Sequence, residues 1–448
     1  AETRLSAEVS PTNDGATGLF NNAASAFLDD YQYTTASGEQ DLKFGDKVYV
    51  SFGAFDALYE NDGETTQVVV LAAGDVVELS ADYIGDGTAE SRYRFVGPVN
   101  GADVERVYMG CVLPAGLGQA PARQATIKAG LPKSVQATTV NKVCGSGMQT
   151  IIMAAEALAS GGMDLAIAGG MESMTNAPYL LKKHRSGARI GHDTAYDHMF
   201  LDGLEDAYDA GRAMGTFAQD TANEYQFTRE NMDDYSIESL RRANEAIQTG
   251  AFADEIAPVT VSTRKGDVTV DTDEQPPKGN PEKLRTLRAA FAKDGTITAA
   301  SSSSISDGAA AVVLTRESVA KDKGATPVAR IVAMAAHAQE PKDFTIAPVG
   351  AIEKVLKKAG WTVADVDLFE VNEAFACVAM FAMKDLGLPH DKVNVNGGAT
   401  ALGHPIGASG TRIVVTLLNA LKNKGLKRGV ASLCIGGGEA TAVAIELV

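Results

Sequence analysis

Apolar and polar residues follow two alternating patterns along residues 103–448. Short, nearly continuous apolar runs are typical of buried strands, and longer periodic stretches are typical of helices. The runs predict strands at residues 107–110, 135–143, 164–172, 308–315 and 366–371, and a closing hairpin at 430–448. The periodic stretches predict helices that begin near residue 118 and span 148–158, 230–251, 349–360 and 411–424. This alternation predicts an α/β fold.

One order of elements occurs twice. In the first half, a strand precedes Cys144-Gly145-Ser146-Gly147, then a helix, then a strand that ends in Gly169-Gly170-Met171-Glu172. In the second half, the same positions are occupied by Gly407-Ala408-Ser409-Gly410 and Gly436-Gly437-Gly438-Glu439. We therefore predict two copies of one α/β unit, whose loops meet at a shared site because ligands bind where strands end and helices begin.

The first hundred residues have a different character. Residues 1–40 lack a periodic pattern and are predicted to be irregular, whereas 47–52, 67–71, 75–79 and 92–96 are strand-like and separated by glycine turns. These strands predict a small antiparallel β unit. Residues 1–100 contain 17 acidic and 5 basic residues, so they carry −12 of the total charge of −17.

Composition excludes several classes of protein. A chain of 448 residues with 45% apolar and 22% charged residues predicts a soluble protein of two or three domains. No apolar run reaches eighteen residues, so no membrane span is expected. The negative net charge argues against nucleic acid as a partner. The spacing of the four cysteines fits neither a disulfide framework nor a zinc site, which predicts a cytoplasmic protein, and the histidines show no pattern of metal ligands.

Cys144 is the first candidate for chemistry. A predicted strand ends at this cysteine, Gly145 and Gly147 allow a sharp turn, and a helix begins at once. Unpaired N–H groups at a helix N-terminus favour a thiolate, so a lowered pKa is expected for Cys144. The alternative is that Cys144 is a small buried apolar residue.

Three further side chains occupy positions suited to a site. His404 lies on a glycine-rich loop ahead of a helix, where a base can reach a ligand. Cys434 ends a strand just before Gly436, whose bare N–H group could hold an oxyanion, although cysteines in strands usually serve packing. Asn372 follows a strand and could instead cap a helix. The other two cysteines, Cys111 and Cys377, lie in apolar surroundings and are predicted to be core residues.

The stretches 144–147, 371–375, 396–410 and 432–438 together resemble the motifs of the thiolase family, over residues from about 103 to 448. The family's opening strand, Arg-Thr-Pro turn and long helix are not visible before residue 103. Residues 68–73 are only faintly similar to that strand, and Gly74-Asp75 stands where the turn belongs. Residues 1–100 are thus predicted to be an unusual N-terminal module or a segment of separate origin.

The resemblance implies a particular architecture. It predicts duplicated α/β domains in a layered αβαβα sandwich, with central helices between two sheets and an inserted loop domain. The implied domains are an acidic β-rich segment at 1–100, a first core domain at 101–175 plus 300–325, a loop domain covering coenzyme A at 176–299, and a second core domain at 326–448. A homodimer or homotetramer is expected.

The resemblance also implies roles for the candidate residues. Cys144 would be the nucleophile, His404 the base that activates it, and Cys434 the acid/base that takes the α-proton from acetyl-CoA. The enolate would be held by His404 and a water bound to Asn372, and the tetrahedral intermediate by the N–H groups of Cys144 and Gly436. No metal and no tightly bound cofactor are expected, because coenzyme A and acetyl-CoA would be substrates.

Contacts to coenzyme A are implied in the same way. Phe291 would pack on the cofactor, Ser303 would reach the pantetheine, and four residues would line the tunnel: Leu204, Met214, Ala374 and Phe375. Phe344 lies near the implied acyl pocket, where many acetyl-specific relatives have methionine. Ala213 replaces a histidine common in short-chain members, and residues 301–304 replace Asn-Ala-Ser-Gly. These departures leave the acyl length open.

The sequence therefore predicts an acetyl-CoA C-acetyltransferase that forms or thiolytically cleaves acetoacetyl-CoA. Three alternatives stay open. One is a 3-ketoacyl-CoA thiolase of longer-chain β-oxidation. Another is a β-ketoacyl synthase, which is disfavoured because that relative has a second histidine where Cys434 stands. The third is a catalytically inactive assembly protein with a thiolase body, suggested by the missing opening motif.

Overall fold

The computed structural model describes residues 99–448 apart from residue 265, and the backbone of six short strands within residues 1–98. The chain divides into two compact units, Ala1–Thr65 and Thr66–Val448. The strands predicted at residues 75–79 and 92–96 lie outside the described residues.

The described part of the unit Ala1–Thr65 consists of short strands. They are β1 (Thr3–Leu5), β2 (Ser10–Pro11), β3 (Tyr31–Thr35), β4 (Gly38–Asp41) and β5 (Val48–Val50). β2, β3 and β4 pair antiparallel, whereas β5 pairs parallel with β1. The prediction that residues 1–40 are irregular is thus wrong at four strands, because short polar segments pair through their backbones without an apolar pattern. The strand predicted at 47–52 is present, but in a parallel pair.

The unit Thr66–Val448 contains the remaining described strands and helices. Its strands are β6 (Val68–Leu71), β7 (Arg106–Gly110), β8 (Gln136–Val140), β9 (Leu165–Ser173), β10 (Tyr179–Leu180), β11 (Tyr196–Asp197), β12 (Val259–Thr263), β13 (Gly266–Val270), β14 (Asp307–Arg316), β15 (Pro327–Ala338), β16 (Leu368–Val371), β17 (Arg428–Ile435) and β18 (Glu439–Leu447). Its α-helices are α1 (Pro121–Lys128), α2 (Ser146–Ala159), α3 (Met214–Glu224), α4 (Arg229–Thr249), α5 (Pro281–Leu284), α6 (Glu317–Lys323), α7 (Ala347–Ala359), α8 (Ala376–Leu386), α9 (Ala399–Leu402) and α10 (Ser409–Lys424). The predicted strands and helices of residues 103–448 are all present, with ends that differ by a few residues.

Nine of these strands form one mixed sheet in the order β16-β17-β18-β15-β6-β14-β9-β7-β8. Four strands come from each half of the unit, and β6 joins the halves. The resemblance implied two sheets. Here the backbone hydrogen bonds continue from one to the other through β6, so both belong to one nine-stranded sheet. β6 pairs antiparallel with β14 on one side and with β15 on the other. The weakly matching residues 68–71 thus satisfy backbone groups that would otherwise form two open edges inside the protein.

Alternation along the strands produces the layers. Tyr108 packs into the apolar cluster around α2 and α10, whereas its neighbours Val107 and Met109 belong to the cluster that contains residues of α1. In the other half, Leu433 faces α2 and α10, and Cys434 belongs to the cluster that contains residues of α7 and α8. Because successive side chains of a strand point to opposite faces, helices cover both sides of each half. This is the predicted αβαβα sandwich.

The two copies of the repeated glycine motif are in contact at the centre. A Cβ atom built on Gly410 would lie 2.3 Å from the backbone nitrogen of Met148, and one on Gly147 would lie 2.9 Å from that of Thr411. Thr411 Oγ1 also donates to the carbonyl of Gly147 at 2.8 Å. The N-terminal ends of α2 and α10 therefore approach as closely as only glycine permits, which brings the loops of both halves to one place.

Residues between β9 and β14 form the inserted region. It contains the helices α3, α4 and α5, the hairpins β10–β11 and β12–β13, and a π-helix at Phe200–Leu204. α4 is capped by Thr228, whose side chain accepts from the backbone N–H of Asn231, and it ends at Gly250. Within the described residues, no helix is long and apolar enough to cross a membrane. The domain boundaries given above stay predictions.

Candidate active site

A strained turn presents Cys144 at the start of α2. Val143 has a φ of 45°, in the left-handed region that β-branched residues rarely adopt. The Ser146 hydroxyl closes the turn, because it donates to the Val143 carbonyl at 2.6 Å and accepts from the Lys142 N–H at 2.9 Å. Strain of this kind persists only where the surrounding structure enforces it, which is common at functional sites.

The environment of Cys144 corrects one expectation. Cys144 keeps part of its surface accessible, yet burial raises the pKa of its thiol to about 11. The backbone N–H groups of Gly436 and Cys144 itself lower this pKa but do not overcome the loss of water. The sequence predicted a lowered pKa from the helix N-terminus alone. The thiol is therefore protonated at neutral pH and needs a base.

Cys434 lies beside Cys144. Burial, together with the neighbouring thiols of Cys144 and Cys377, raises the pKa of Cys434 well above its usual value. A Cβ atom built on Gly145 would lie 2.3 Å from Ile435 Cδ1, so the turn that carries Cys144 packs directly against the end of β17. Lys142 and Glu439 form an ion pair across the same two turns. The two thiols, distant in sequence, are thus neighbours.

The hydrogen bonds of His404 define its tautomer. Its Nδ1 lies 2.6 Å from the Ser409 hydroxyl, and that hydroxyl donates its proton to the Pro405 carbonyl at 2.9 Å. Ser409 therefore accepts from an Nδ1–H, which leaves Nε2 bare, an assignment made from the hydrogen-bond network. Burial, and to a smaller extent Arg412, lower the pKa of His404 to about 3. The imidazole is neutral and its Nε2 can accept a proton.

Asn372 lies against this imidazole. Its Nδ2 is 3.4 Å from Nδ1 and 3.5 Å from Nε2 of His404. Its Oδ1 is buried and has no hydrogen-bond partner among the described residues, which suits an acceptor reserved for a ligand or a water. Asn372 does not cap α8, whose N-cap position is Phe375. The alternative that Asn372 is a helix cap is therefore wrong.

Glu373 is a buried residue that the sequence did not single out. Its carboxylate accepts from the hydroxyls of Tyr235, Ser239 and Thr400, from Asn394 Nδ2 and from the Thr400 N–H, at 2.6 to 3.1 Å. These donors lie on α4 and on the segment that leads to His404. Glu373 thus fixes that segment relative to the neighbouring Asn372.

The residues predicted to contact coenzyme A form a connected group. The Ala374 carbonyl accepts from both the N–H and the hydroxyl of Ser303, each at 3.0 Å. Phe375 follows directly, and Phe291 meets its ring edge-on at 5.8 Å between centroids. Met214 lies close to the main site, since its sulfur is 3.5 Å from a Cβ atom built on Gly436. These contacts connect predicted residues with one another, and Met214 lies beside Gly436.

Leu204 and Phe344 are the remaining residues predicted to line the tunnel and the acyl pocket. Leu204 ends the π-helix Phe200–Leu204, whose Gly203 approaches Ile406 two residues after His404. Phe344 is buried in the same apolar cluster as Cys434 and Phe375. Two cavities, of about 320 Å³ and 250 Å³, are lined by none of the predicted site residues, so we give them no role in the reaction. Cys111 and Cys377 are buried, as predicted.

Three contributors to the site were missed in the sequence: Val143, Ser409 and Glu373. The positive φ of Val143 could not be predicted from the sequence, because valine is a residue type that favours strands. Glu373 follows an apolar run, and an acidic residue at such a position was the one available signal. In the sequence Ser409 is visible only as part of a glycine turn, and its contact with His404 depends on the course of the loop.

A duplicated α/β fold with two thiols and a neutral imidazole at facing loop ends defines a class of proteins suited to covalent thiol chemistry. The family model for the thiolase N-terminal domain matches residues 63–318, and that for the thiolase C-terminal domain matches residues 325–447. The chain belongs to the thiolase family. The matched range begins well before residue 103 and includes β6.

Individual relatives support this assignment along most of the chain. An acetyl-CoA acetyltransferase of Allochromatium vinosum is 47% identical over 376 residues, which cover 84% of this chain and 95% of the relative. One of Yarrowia lipolytica is 50% identical over 345 residues, or 77% of this chain and 85% of the relative.

Two solved structures are similar as well. The Acat5 thiolase of Ascaris suum, in complex with coenzyme A, has a TM-score of 0.73 at 43% identity and covers 78% of this chain and 89% of its own. The acetyl-CoA acetyltransferase of Bacillus anthracis has a TM-score of 0.79 at 37% identity and covers 86% of this chain and 100% of its own.

Proposed function

We propose that this protein is an acetyl-CoA C-acetyltransferase, which forms or thiolytically cleaves acetoacetyl-CoA through an acyl group on Cys144. The observation that carries the proposal is the arrangement around one sulfur. The N–H groups of Cys144 and Gly436 interact with the Cys144 thiol, and the Cys434 thiol lies beside it. Two backbone donors at a nucleophile are what an acyl transfer needs to hold a tetrahedral oxyanion.

The first half-reaction transfers the acyl group. Nε2 of His404 takes the proton of Cys144, whose sulfur attacks the thioester carbonyl of acetyl-CoA. The N–H groups of Cys144 and Gly436 hold the oxyanion while the bond to the coenzyme A sulfur breaks. The leaving thiolate takes the proton of Cys434. The raised pKa of Cys434 supports this step, because the resting thiol holds the proton to be given away.

The second half-reaction forms the carbon–carbon bond. The Cys434 thiolate takes an α-proton from a second acetyl-CoA, and the resulting enolate attacks the acetyl group on Cys144. His404 and a water bound to Asn372 stabilise the enolate oxygen, and the partnerless Oδ1 of Asn372 supports this role. Collapse of the adduct expels the Cys144 thiolate, which recovers its proton from His404. Cleavage of acetoacetyl-CoA runs through the same steps in reverse.

Coenzyme A would lie across the group formed by Ser303, Ala374, Phe375, Phe291 and Met214. Their mutual contacts and their place beside Gly436 support this. Aromatic rings and a thioether suit the apolar pantetheine arm. Leu204 would complete the tunnel wall, and Phe344 would limit the acyl pocket. The oligomer would be a homodimer or homotetramer, and the location cytoplasmic.

The other candidate functions find less support. The relatives reported above are acetyl-CoA acetyltransferases or a thiolase, which favours a short acyl group over the long chains of β-oxidation. The complete set of Cys144, His404, Asn372 and Cys434 argues against an inactive assembly protein. Initial rates of cleavage of acetoacetyl-CoA and of 3-ketohexadecanoyl-CoA by free coenzyme A would separate the two chain-length classes.

Intact-protein mass spectrometry tests the nucleophile. Brief mixing with acetyl-CoA should add one acetyl group to the wild-type protein, and peptide mapping should find that group on Cys144. Cys144→Ala should gain no acetyl group, whereas Cys434→Ala should still be acetylated. An acetyl group that persists in Cys144→Ala would refute the assignment.

A further inference from the structure

Glu172 is a buried carboxylate for which the mechanism above has no use. It lies near the C-terminal end of β9 and is only 4% exposed. Its Oε1 accepts from the Leu113 N–H at 3.0 Å and lies 3.8 Å from the thiol of Cys111. Its Oε2 accepts from the N–H groups of Val112 at 3.0 Å and Gly407 at 2.9 Å. All of its partners are donors, and none of them is a cation.

These donors belong to the two segments that flank the nucleophile. Gly407 closes the stretch that begins at His404, and Val112 and Leu113 follow β7. Val112, Leu113 and Ile406 form an apolar cluster on which Cys144 packs. Glu172 therefore connects the His404 loop to the strand ends beside Cys144 through one side chain.

The backbone around Gly407 packs closely against the strand ends. A Cβ atom built on Gly407 would lie 2.6 Å from Glu172 Oε2 and 3.0 Å from Cys111 Cα. Cβ atoms built on Gly170 and Gly110 would lie 2.1 Å and 2.5 Å from the Gly407 carbonyl oxygen. The loop thus lies directly on the ends of β7 and β9, and the carboxylate occupies the centre of that contact.

We propose that Glu172 is a positioning residue for the acyl transfer, because its carboxylate fixes the loop that carries His404 against the strand ends beside Cys144. A carboxylate is required, since each oxygen faces two donors and a glutamine amide would turn its own N–H groups toward one of these pairs. The inference rests on the roles proposed above for Cys144 and His404.

The charge of Glu172 provides an independent readout. Among the groups of residues 99–448, the thiols of Cys111 and Cys144 interact with it, and its negative charge raises the pKa of both. Three backbone N–H groups sustain the charge, although burial raises the pKa of Glu172 itself. Removing the charge should therefore make the Cys144 thiol more acidic while catalysis becomes slower. A role confined to folding would produce no such combination.

The test compares Glu172→Gln, Glu172→Asp and the control Asp367→Asn. Asp367 also accepts two backbone N–H groups, those of Lys427 and Arg428, but lies before β16, at the end of that strand remote from Asn372. For each purified full-length protein, the rate of Cys144 alkylation by iodoacetamide is measured against pH by peptide mass spectrometry. The kcat and the KM for coenzyme A are measured in acetoacetyl-CoA thiolysis.

We expect Glu172→Gln to shift the alkylation midpoint of Cys144 down by about half a pH unit or more. Its kcat should fall by about tenfold or more, with a KM for coenzyme A within about twofold of the wild type. Glu172→Asp keeps the charge but cannot reach every donor. It should therefore keep the wild-type alkylation profile and lose part of kcat. Asp367→Asn should match the wild type in both assays.

Three results would overturn the inference. One is a Glu172→Gln protein with wild-type kcat. Another is an equal loss of kcat in Glu172→Gln and Glu172→Asp, with the wild-type alkylation profile in both. If Glu172→Gln does not fold, a Glu172→Asp protein with undiminished kcat would have the same meaning. Failure of the proposed function itself is distinguishable, because wild-type Cys144 would then gain no acetyl group.

Discussion

Replacing Ser409 with alanine tests the assignment of His404 as a neutral base. The Ser409 hydroxyl accepts from Nδ1 of His404 and donates to the Pro405 carbonyl. No other group of the described residues satisfies Nδ1–H at so short a distance, since Asn372 offers only its donor Nδ2 there. Ser409→Ala therefore leaves a buried N–H without an acceptor.

The magnitude follows from this lost acceptor. An unsatisfied buried donor costs about 1–3 kcal/mol. His404 can avoid that cost by moving its proton to Nε2, which then no longer accepts the proton of Cys144. If the productive tautomer becomes less favourable by this amount, the rate of acylation falls by about 5- to 160-fold. The KM for acetyl-CoA should change little, because Ser409 contacts Nδ1 of His404, whereas Nε2 is the atom that takes the proton of Cys144.

The assay measures the rate at which acetyl-Cys144 forms in a single turnover, by quenched-flow mass spectrometry. The tautomer is read directly from ¹⁵N chemical shifts of histidine-labelled protein. Ser236→Ala is the matched control, because Ser236 is also buried and also donates to the carbonyl four residues before it, at 2.8 Å, but contacts no imidazole. Ser236→Ala should acylate at the wild-type rate.

The reasoning would be refuted by a Ser409→Ala protein that acylates as fast as the wild type while its His404 still carries the proton on Nδ1. It would also be refuted if the Ser236→Ala control lost as much activity, because the effect would then come from general destabilisation.

Three further predictions concern Cys434 and two buried carboxylates, Glu373 and Glu370, the latter on β16. Cys434→Ala should slow the exchange of the α-protons of acetyl-CoA in D₂O by about 100-fold or more, while acetyl-Cys144 still forms. Exchange at the wild-type rate would contradict the role of Cys434. Burial raises the pKa of Glu370 to about 8, so the stability that its neutral form contributes is complete below pH 4.5 and is lost as the pH rises through 8. Urea titrations should therefore show that the free energy of unfolding of Glu370→Gln rises relative to that of the wild type between pH 4.5 and 9, by roughly 3–5 kcal/mol at most. Parallel plots of this free energy against pH for the two proteins would contradict the prediction. Glu373→Gln should unfold at lower urea, with a loss of about 2 kcal/mol or more, because an amide cannot accept from all its donors; unchanged stability would argue against that network.

The sequence by itself determined the alternation of strands and helices in residues 103–448. Apolar runs buried on both faces leave little choice but a strand, and a glycine turn followed by an alanine-rich stretch begins a helix. The repeated motif also predicted that Cys144 and Cys434 share one site. Local pattern was sufficient here because period and turn chemistry act over a few residues.

Other features depended on contacts between distant segments. Residues 68–71 are a weak strand by pattern, and only their pairing with β14 and β15 makes them the link between the two halves. The pKa of Cys144 rises because burial outweighs the helix N-terminus, and burial is a property of the packed protein.

The proton on Nδ1 of His404 and the donors around Glu172 were likewise decided by tertiary structure. A hydrogen-bond partner can be distant in sequence, as Gly407 is from Glu172. Residue types establish which groups are able to donate or accept, and the fold alone determines which of them meet.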